Sequence, residues 1–462
     1  MSIATVNPAT GETVRTFEEL GPEELDRRLE LARLAHLSYR FTGFAERRRL
    51  LHRAADLLEE DLDEISRTVT LEMGKPVSQA RAEAAKCVRS MRWYADRAEG
   101  LLADEYPDEA DVKDSGASRA YVRYRPLGPV LAVMPWNFPL WQVIRFAAPA
   151  LMAGNTGLLK HASNVPQTAL YLESLFQRAG YPEGCFQTLL IGSRAVEGVL
   201  RDPRVAAATL TGSEPAGRSV ASIAGDEIKK TVLELGGSDP FLVLPSADVA
   251  EAARVAVTAR VQNNGQSCIA AKRFIVHEAV YEEFTAAFVQ RMRALRVGDP
   301  MDEDTQVGPL SSESGRADLE SLVEDALARG ADLLCGGHRP EGLGGGWFYE
   351  PTVLAGITPE MRIHQEETFG PVATLYRVPD LDSALAMAND SPFGLSSNVW
   401  TQDPEETERC VAELEAGAVY FNGMTASHAA FPFGGVKRSG YGRELSGHGI
   451  REFCNITTVW SA

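Results

Sequence analysis

One cysteine, Cys268, lies in a segment whose composition suits a reactive thiol. Gly265 and Ser267 leave space beside the sulfur, and Asn264 and Gln266 supply amide groups that can hydrogen-bond nearby. A thiol acts as a nucleophile only when it is accessible and when its surroundings favour the thiolate. The composition of the segment alone fits a half-buried, inert thiol at least as well. The residues that surround Cys268 in the fold therefore decide its role.

Two polar residues elsewhere stand in motifs that suit acid–base or oxyanion chemistry. Glu234 lies between Leu233 and Leu235, and an apolar setting raises the pKa of a carboxyl group. Asn137 follows Trp136 in a Pro-Trp-Asn-Phe-Pro segment and can donate its amide to an oxyanion. From the residues alone, Glu234 could equally cap a helix or form an ion pair, and Asn137 could equally be a turn residue.

Composition excludes several classes of protein. The chain has 462 residues and a net charge of -18, which predicts two or three structural units and no nucleic-acid partner. The most apolar region, 130–152, is interrupted by prolines and an arginine, so no membrane span is expected. The amino-terminal residues lack the apolar core of a signal peptide. Six scattered cysteines without a C-x-x-C pair predict neither a disulfide framework nor a metal site, and a reducing cytoplasm fits best.

The elements that must position these residues alternate between strand and helix. Helical spacing over 22–62 and 77–101 predicts a covering layer. Strand patterns are then expected at 120–125, 130–134, 156–160, 188–190 and 206–210, and helices at 140–151, 166–179, 195–200 and after 217. This alternation predicts a parallel sheet with helices on both faces. Ligands of such sheets bind at the carboxyl ends of the strands, where Trp136, Asn137, Lys160 and 211–213 fall.

A second alternation begins at Phe241. It includes a helix that ends near Cys268, a strand over 273–276 and a helix over 281–294. The tail, 453–460, alternates as an edge strand does, and such an edge often pairs with another chain.

Seven motifs, in their order along nearly the whole chain, resemble those of the NAD(P)-dependent aldehyde dehydrogenase superfamily. They are Pro135–Pro139, Leu159–Lys160, Leu210–Ser213, Glu234–Gly237, Gly265–Cys268, Glu367–Pro371, and Pro432–Gly435 with Ser439–Gly440. The resemblance implies an α/β fold with a Rossmann-type dinucleotide-binding domain (1–112 and 130–236) and an α/β catalytic domain (237–447). It also implies a small β oligomerisation arm (113–129 and 448–462) and a homodimer or homotetramer.

The chemistry of the resembled family matches the three residues singled out above. Aldehyde oxidation by hydride transfer requires a thiol that forms a tetrahedral adduct, an oxyanion donor, and a base for hydrolysis of the resulting thioester. The resemblance implies that Cys268 is the nucleophile, that Glu234 is the base, and that Asn137 is the oxyanion donor beside the Cys268 backbone N–H.

The predicted cofactor site departs from the common G-x-G-x-x-G pattern. Gly212 and Gly217 follow a strand and open a helix, so the local amides could bind phosphate, although the pattern alone also fits an ordinary helix start. The cofactor residues implied by the resemblance are Trp136, Lys160, Ser163, Thr211, Gly212, Ser213, Gly217, Leu235, Glu367 and Phe369. Without the resemblance, Lys160 would fit a solvated strand end and Phe369 a core aromatic.

Cofactor choice depends on the third residue after Lys160. Many NAD-preferring members of the family have a glutamate there, which binds the ribose hydroxyls, whereas this chain has Ser163. A serine does not repel a 2′-phosphate, and Lys160 or His161 could attract it. We therefore expect NADP to be accepted and preferred over NAD.

Substrate choice depends on Arg145, eight positions after Asn137. The succinate-semialdehyde dehydrogenases that this chain resembles have an arginine there, and a guanidinium binds a carboxylate with two parallel hydrogen bonds. Some of those enzymes have a second arginine six positions before the cysteine, where this chain has Gln262. Ser427 or His428 could supply the other contact. Alone, Arg145 fits a salt-bridged helix residue equally well.

Three alternatives stay open from the sequence. The first is oxidation of a different small aldehyde. The second is a coenzyme A-acylating aldehyde dehydrogenase, against which Glu234 counts because those enzymes typically lack the base. The third is a non-enzymatic relative, which would be expected to have lost Cys268, Glu234 or Asn137.

Overall fold

The computed structural model describes residues 3–462. The strands are β1 Ile3–Val6, β2 Thr13–Phe17, β3 Arg119–Pro126, β4 Pro129–Met134, β5 Thr156–His161, β6 Phe186–Thr188, β7 Ala207–Thr211, β8 Lys230–Glu234, β9 Asp239–Val243, β10 Ala271–His277, β11 Asp332–Cys335, β12 Thr352–Ala355, β13 Val372–Val378, β14 Phe393–Gly394, β15 Ser397–Trp400, β16 Val419–Phe421, β17 Val436–Lys437, β18 Gly440–Tyr441 and β19 Cys454–Ser461.

The helices are α1 Pro22–Tyr39, α2 Phe44–Glu60, α3 Leu62–Met73, α4 Val77–Leu101, α5 Glu109–Asp114, α6 Trp141–Ala153, α7 Pro166–Arg178, α8 Val196–Arg201, α9 Glu214–Asp226, α10 Val249–Val261, α11 Glu278–Arg293, α12 Glu313–Ala328, α13 Arg362–Gln365, α14 Leu381–Asn389, α15 Pro404–Glu413 and α16 Ser446–Glu452. None of the helices between residues 3 and 462 combines the length and apolar character needed to span a bilayer.

The first large sheet has six strands in the order β18-β8-β7-β4-β5-β6. Its strands pair in parallel, apart from the antiparallel edge strand β18. The central strand β4 is almost wholly buried, as expected for a strand covered on both faces by helices. The predicted helix over 77–101 is confirmed as α4.

One predicted strand of this sheet is displaced along the chain. The strand expected at 188–190 lies at Phe186–Thr188 instead. The apolar residues that follow make other backbone bonds, since Leu189 donates to the Leu159 carbonyl and Leu190 accepts from Leu20. Backbone hydrogen bonds to distant residues, rather than the apolar composition of 188–190, therefore set the bounds of β6.

The second large sheet has seven strands in the order β11-β12-β13-β10-β9-β15-β16. All neighbours pair in parallel except β11 with β12. The helix expected to end near Cys268 ends earlier, at Val261. A tight 3₁₀ turn, Gln262–Gly265, separates it from the cysteine because Asn263 and Asn264 leave helical geometry.

The predicted arm contains a two-stranded antiparallel ribbon. Strands β3 and β19 pair over eight residues each, from Arg119 with Ser461 to Pro126 with Cys454. Side chains on β19 such as Ile456 and Trp460 are largely exposed. The domain boundaries expected from the sequence stay a prediction, and β18, from the segment assigned to the catalytic domain, is hydrogen-bonded to β8 in the first sheet.

Candidate active site

The backbone turns sharply just before Cys268. Asn263, Asn264 and Gly265 all have positive φ angles, of 57°, 58° and 73°. A Cβ at position 265 would lie 2.3 Å from the backbone of Gly370, so only glycine fits there. Left-handed geometry at two asparagines costs conformational energy, and such strain accumulates at functional sites.

Hydrogen bonds from both asparagine side chains hold this turn in place. Asn263 Nδ2 donates to the carbonyls of Asn137 and Gln266, each at 2.8 Å. Asn264 Nδ2 donates to the carbonyl of Gly74 at 2.9 Å. The turn is thereby fixed to the segment that carries the predicted oxyanion donor.

The Cys268 sulfur is a thiol in the resting protein. Burial raises its pKa to about 12, and the positive charges of Arg145 and Lys272 only partly offset this. A thiol with such a pKa is protonated at neutral pH. Attack by Cys268 on a carbonyl carbon therefore requires a proton acceptor.

Lys272 stabilises the loop that carries Cys268. Its Nζ donates to the carbonyls of Ser267 at 2.9 Å and Cys268 at 2.8 Å. It also forms an ion pair with Glu367, with 3.3 Å between Nζ and Oε1. One buried ammonium thus joins the nucleophile loop to a predicted cofactor residue.

The Asn137 amide is buried and oriented. Gln142 Nε2 donates to Asn137 Oδ1 at 3.0 Å, and Asn137 Nδ2 donates to the Gln266 carbonyl at 3.0 Å. An amide nitrogen has two hydrogens, so the second remains for a developing oxyanion. The structure thus places Asn137 beside the Cys268 loop, as an oxyanion donor requires.

A buried ion pair supports the loop that precedes α6. Lys75 Nζ lies 2.5 Å from Glu83 Oε2 and 4.1 Å from the centroid of the Phe138 ring. Glu83 Oε1 accepts hydrogen bonds from the backbone N–H groups of Leu140 and Trp141, each at 2.9 Å. A carboxylate at a helix N-terminus is favourable, so Glu83 fixes the start of α6.

Glu234 is a buried carboxyl group at the end of β8. Neither of its carboxyl oxygens accepts a hydrogen bond from any residue between 3 and 462. Burial, and then the charge of Glu444, raise its pKa well above the ordinary value, against Arg145 and Arg443. A buried polar group without a partner is costly, and is typical of a group that acts on a ligand or water.

Arg145 is already bound to other side chains of the protein. It forms a buried ion pair with Glu444, donates from Nη2 to Thr211 Oγ1 at 3.1 Å, and lies 4.7 Å from the ring centroid of Phe433. Its charge lowers the pKa of both Cys268 and Glu234. The structure therefore shows Arg145 as a salt-bridged helix residue, and its role in binding a substrate carboxylate stays a prediction.

A cleft of about 890 Å³ opens beside the nucleophile loop. Trp136, Glu367 and Phe369 line it together with Glu214, the first residue of α9. The Trp136 and Phe369 rings pack edge to face with centroids 5.7 Å apart. The volume lies at the upper end of the range for small-molecule pockets, as a site for a large ligand requires.

The start of α9 has the features of a phosphate site. Ser213 occupies the N-cap position but makes no capping hydrogen bond, which leaves the N–H groups of Glu214 and Ala216 available, whereas Pro215 has none. A Cβ at Gly217 would lie 2.6 Å from the Leu235 side chain, so glycine allows α9 to pack closely on the strand end. The backbone N–H of Gly212 donates to the Glu234 carbonyl at 2.9 Å.

The remaining predicted cofactor residues lie at or near the ends of β5 and β7. Lys160 is buried, and desolvation lowers its pKa against the opposing charge of Glu19. Ser163 is partly exposed. Thr211 accepts its hydrogen bond from Arg145, so its place beside the nicotinamide stays a prediction.

His161 does not fit the role of a phosphate ligand. Its Nε2 lies 2.9 Å from the Pro139 carbonyl, and its Nδ1 accepts from the Ala162 N–H at 2.9 Å. Burial lowers its pKa to about 4, so the ring is neutral at pH 7. Of Lys160 and His161, only Lys160 therefore stays a candidate for binding a 2′-phosphate.

Sequence reasoning missed two charged residues that act on the site, namely Glu444 and Lys272. Lys272 could have been noticed as a cation four positions after Cys268. Glu444 lies in the short segment between β18 and α16, and only its contact with Arg145 reveals it. Ser427, which was predicted to bind substrate, is buried and accepts a hydrogen bond from Lys86 at 2.7 Å.

Comparison with known families identifies the class of protein that this arrangement defines. The model of the aldehyde dehydrogenase family matches residues 1–459. The chain belongs to the aldehyde dehydrogenase family, so the predicted family and α/β fold class are confirmed.

Similar proteins narrow the comparison further. The chain is 62% identical over 461 residues to the NADP(+) succinate-semialdehyde dehydrogenase of Mycobacterium avium (strain 104), covering 100% of this chain and 97% of that one. It is 61% identical over 462 residues to NADP(+) succinate-semialdehyde dehydrogenase 1 of Mycobacterium tuberculosis (strain ATCC 25618 / H37Rv), covering both chains fully. Succinic semialdehyde dehydrogenase from Streptococcus pyogenes, solved in complex with NADP+, is 36% identical, with a TM-score of 0.95 over 99% of each chain.

Proposed function

We propose that this aldehyde dehydrogenase oxidises succinate semialdehyde to succinate and prefers NADP to NAD. The observation that carries the proposal is the position of Arg145, whose charge acts on the Cys268 thiol in a chain of net charge -18. A cation beside the reacting sulfur favours an aldehyde that bears an anionic group. The names of the mycobacterial relatives, 61–62% identical over the whole chain, support the same substrate and cofactor.

The proposed reaction begins with loss of the Cys268 thiol proton to water and attack of the thiolate Sγ on the aldehyde carbon, forming the anion of a thiohemiacetal. The second Asn137 amide hydrogen and the Cys268 backbone N–H stabilise the oxyanion. When bound, the nicotinamide ring supplies the hydride acceptor. Trp136, Glu367 and Phe369 would hold it in the cleft that they line.

Hydrolysis of the thioester on Cys268 then completes the proposed reaction. Loss of hydride leaves a thioester on Cys268, and Glu234 accepts a proton from the attacking water. Because Glu234 has no hydrogen-bond partner among residues 3–462, its carboxyl oxygens are available to a water molecule. The thiol leaves as succinate is released. The presence of this base counts against a coenzyme A-dependent release.

The test is a substrate and cofactor panel. Succinate semialdehyde, butanal and benzaldehyde would each be assayed with NADP and with NAD, without coenzyme A. We expect the highest kcat/KM for succinate semialdehyde with NADP, with succinate as product. A higher kcat/KM for a neutral aldehyde, or a requirement for coenzyme A, would refute the proposal.

We further propose that the β3–β19 ribbon, within segments 113–129 and 448–462, joins copies of this chain into a homodimer or homotetramer. The exposed Ile456 and Trp460 side chains on β19 support this. Light scattering after size exclusion would give the mass. A monomeric wild-type chain, or an Ile456→Asp variant with unchanged mass, would refute the role of the ribbon.

A further inference from the structure

Lys272 binds three backbone carbonyls of the turn that carries the nucleophile. Its Nζ donates to the carbonyls of Ser267 at 2.9 Å, Cys268 at 2.8 Å and Ala270 at 3.2 Å. The side chain is only 1% exposed. An ammonium has three hydrogens and no acceptor, so these three carbonyls take all of them. A neutral amine has only two hydrogens, so the contacts require the charged form.

Acidic groups balance the buried charge of Lys272. Glu367 Oε1 lies 3.3 Å from Lys272 Nζ and also accepts the backbone N–H of Gly237 at 3.1 Å. Asp239 is buried on β9 and pairs in register with Ala271, the residue before Lys272. A buried ammonium without such partners would be costly. The charge of Lys272 is therefore part of the folded site.

The bond from Lys272 to Ser267 decides the direction of the next N–H group. The peptide unit between Ser267 and Cys268 is trans, and in such a unit the carbonyl and the N–H point in opposite directions. Because the Ser267 carbonyl is directed at Lys272, the Cys268 N–H is directed away from it. Within residues 3–462, this N–H makes no hydrogen bond to another backbone group.

The preceding carbonyl is held by a different group. The Gln266 carbonyl accepts from Asn137 Nδ2 at 3.0 Å, so two successive carbonyls of the turn bind Asn137 and Lys272 respectively. The Cys268 carbonyl is confined on a further side, since a Cβ at Gly237 would lie 2.5 Å from its oxygen. The backbone around the sulfur therefore has little freedom to rotate.

We infer that Lys272 is a positioning residue for the oxyanion site: by binding the Ser267 carbonyl, it directs the Cys268 N–H at the aldehyde oxygen, where this N–H acts together with the Asn137 amide. The ammonium also polarises the peptide unit, which strengthens its N–H as a donor. This inference rests on the proposed attack of Cys268 on an aldehyde, and it is independent of which aldehyde is preferred.

The test compares two reactions of Cys268 in the full chain. Aldehyde oxidation with NADP passes through an oxyanion, whereas alkylation by iodoacetamide, measured without cofactor, does not. Lys272→Met should lower kcat/KM for oxidation roughly 100-fold, as loss of one oxyanion donor does. Alkylation should slow less than about 10-fold, because loss of the Lys272 charge only raises the pKa of the thiol.

Lys229→Met is the matched control. Lys229 Nζ donates to the carbonyls of Leu200 and Asp202, each at 2.7 Å, and the residue precedes β8 at the end opposite Glu234. This variant therefore also removes an ammonium that holds backbone carbonyls, but away from the Cys268 turn. It should change neither the kcat/KM for oxidation nor the rate constant of alkylation.

Equal losses in the two reactions of Lys272→Met would refute the inference, because Lys272 would then act on the sulfur or on the whole turn. An unchanged kcat/KM would refute it as well. If Lys272→Met does not fold, Lys272→Gln, which keeps two donor hydrogens without the charge, takes its place, and equal losses again count as refutation. The aldehyde used is the one that the wild-type chain oxidises fastest. A wild-type preference for an aldehyde other than succinate semialdehyde therefore refutes the proposed function and leaves this inference standing.

Discussion

Arg145 and Glu444 form a buried ion pair between α6 and the segment before α16, and Glu234 lies within the field of both charges. Glu444 raises the pKa of Glu234, whereas Arg145 lowers it. The pair therefore sets the protonation of the proposed base. It also means that a simple change at Arg145 alters more than substrate binding.

Removal of the Glu444 charge should shift the pH dependence of turnover. In Glu444→Gln the pKa of Glu234 falls, because a repelling negative charge is lost and Arg145 is no longer neutralised. The midpoint of the kcat–pH profile should move to lower pH. The variant should also lose about 3–5 kcal/mol of stability, since a buried Arg145 is left unpaired, as thermal unfolding would measure. An unmoved midpoint would contradict the coupling.

The double variant Arg145→Met with Glu444→Gln separates the loss of the ion pair from the effect of leaving one buried charge unpaired. Removing both members of a buried pair is often neutral for stability, so this variant should unfold near the wild-type temperature. Arg145→Met alone should be less stable, and it should lose more activity towards succinate semialdehyde than towards butanal. It removes a cation near Cys268, and it leaves Glu444 to raise the pKa of Glu234 with opposition from Arg443 alone. If the double variant were as unstable as either single variant, an unpaired buried charge would not be the cause of the lower stability of the single variants.

Glu234→Gln should stop hydrolysis without stopping hydride transfer. Loss of a general base costs roughly 10²- to 10⁴-fold, and the thioester on Cys268 should accumulate. Stopped-flow absorbance should show a burst of reduced cofactor close to one equivalent per active site, followed by slow turnover. Steady turnover at the wild-type rate would remove Glu234 from the mechanism.

Activity of the wild-type chain should rise with pH through the neutral and mildly alkaline range. Cys268, with a pKa of about 12, and Glu234, with its raised pKa, both act in their deprotonated forms. Each raised pKa lowers the deprotonated fraction at pH 7, so that fraction grows as pH increases. The measurement is kcat/KM from pH 6 to 9.5, with circular dichroism to confirm folding. A profile that falls over this range would contradict the assignment.

Ser163→Glu should reverse the cofactor preference. A carboxylate at this position would repel a 2′-phosphate, and juxtaposed like charges cost several kcal/mol, which corresponds to a loss of roughly 100-fold or more in kcat/KM with NADP. The value with NAD should hold or rise, because a carboxylate can accept from the ribose hydroxyls. Ser163→Ala is the control and should retain the NADP preference. Equal effects on both cofactors would place Ser163 outside the ribose site.

The local sequence determined the bounds of the longest helix and the identity of the candidate reacting groups. Helix α4 has the predicted bounds because its apolar residues recur at helical spacing over a long segment. The nucleophile loop, Asn137 and Glu234 could be selected because each stands in a short motif whose residues are all near neighbours. Strand β6 was misplaced because Leu189 and Leu190 form backbone bonds to residues far away in sequence.

Only the tertiary structure decided the electrostatics of the site. Lys86 and Ser427 are 341 positions apart, and the pair of Arg145 with Glu444 also joins segments that are far apart in sequence. The burial that raises the pKa values of Cys268 and Glu234 comes from packing by many elements, and no single segment encodes it. The sequence alone therefore names the reacting groups, whereas the fold sets their protonation and places Lys86 beside Ser427.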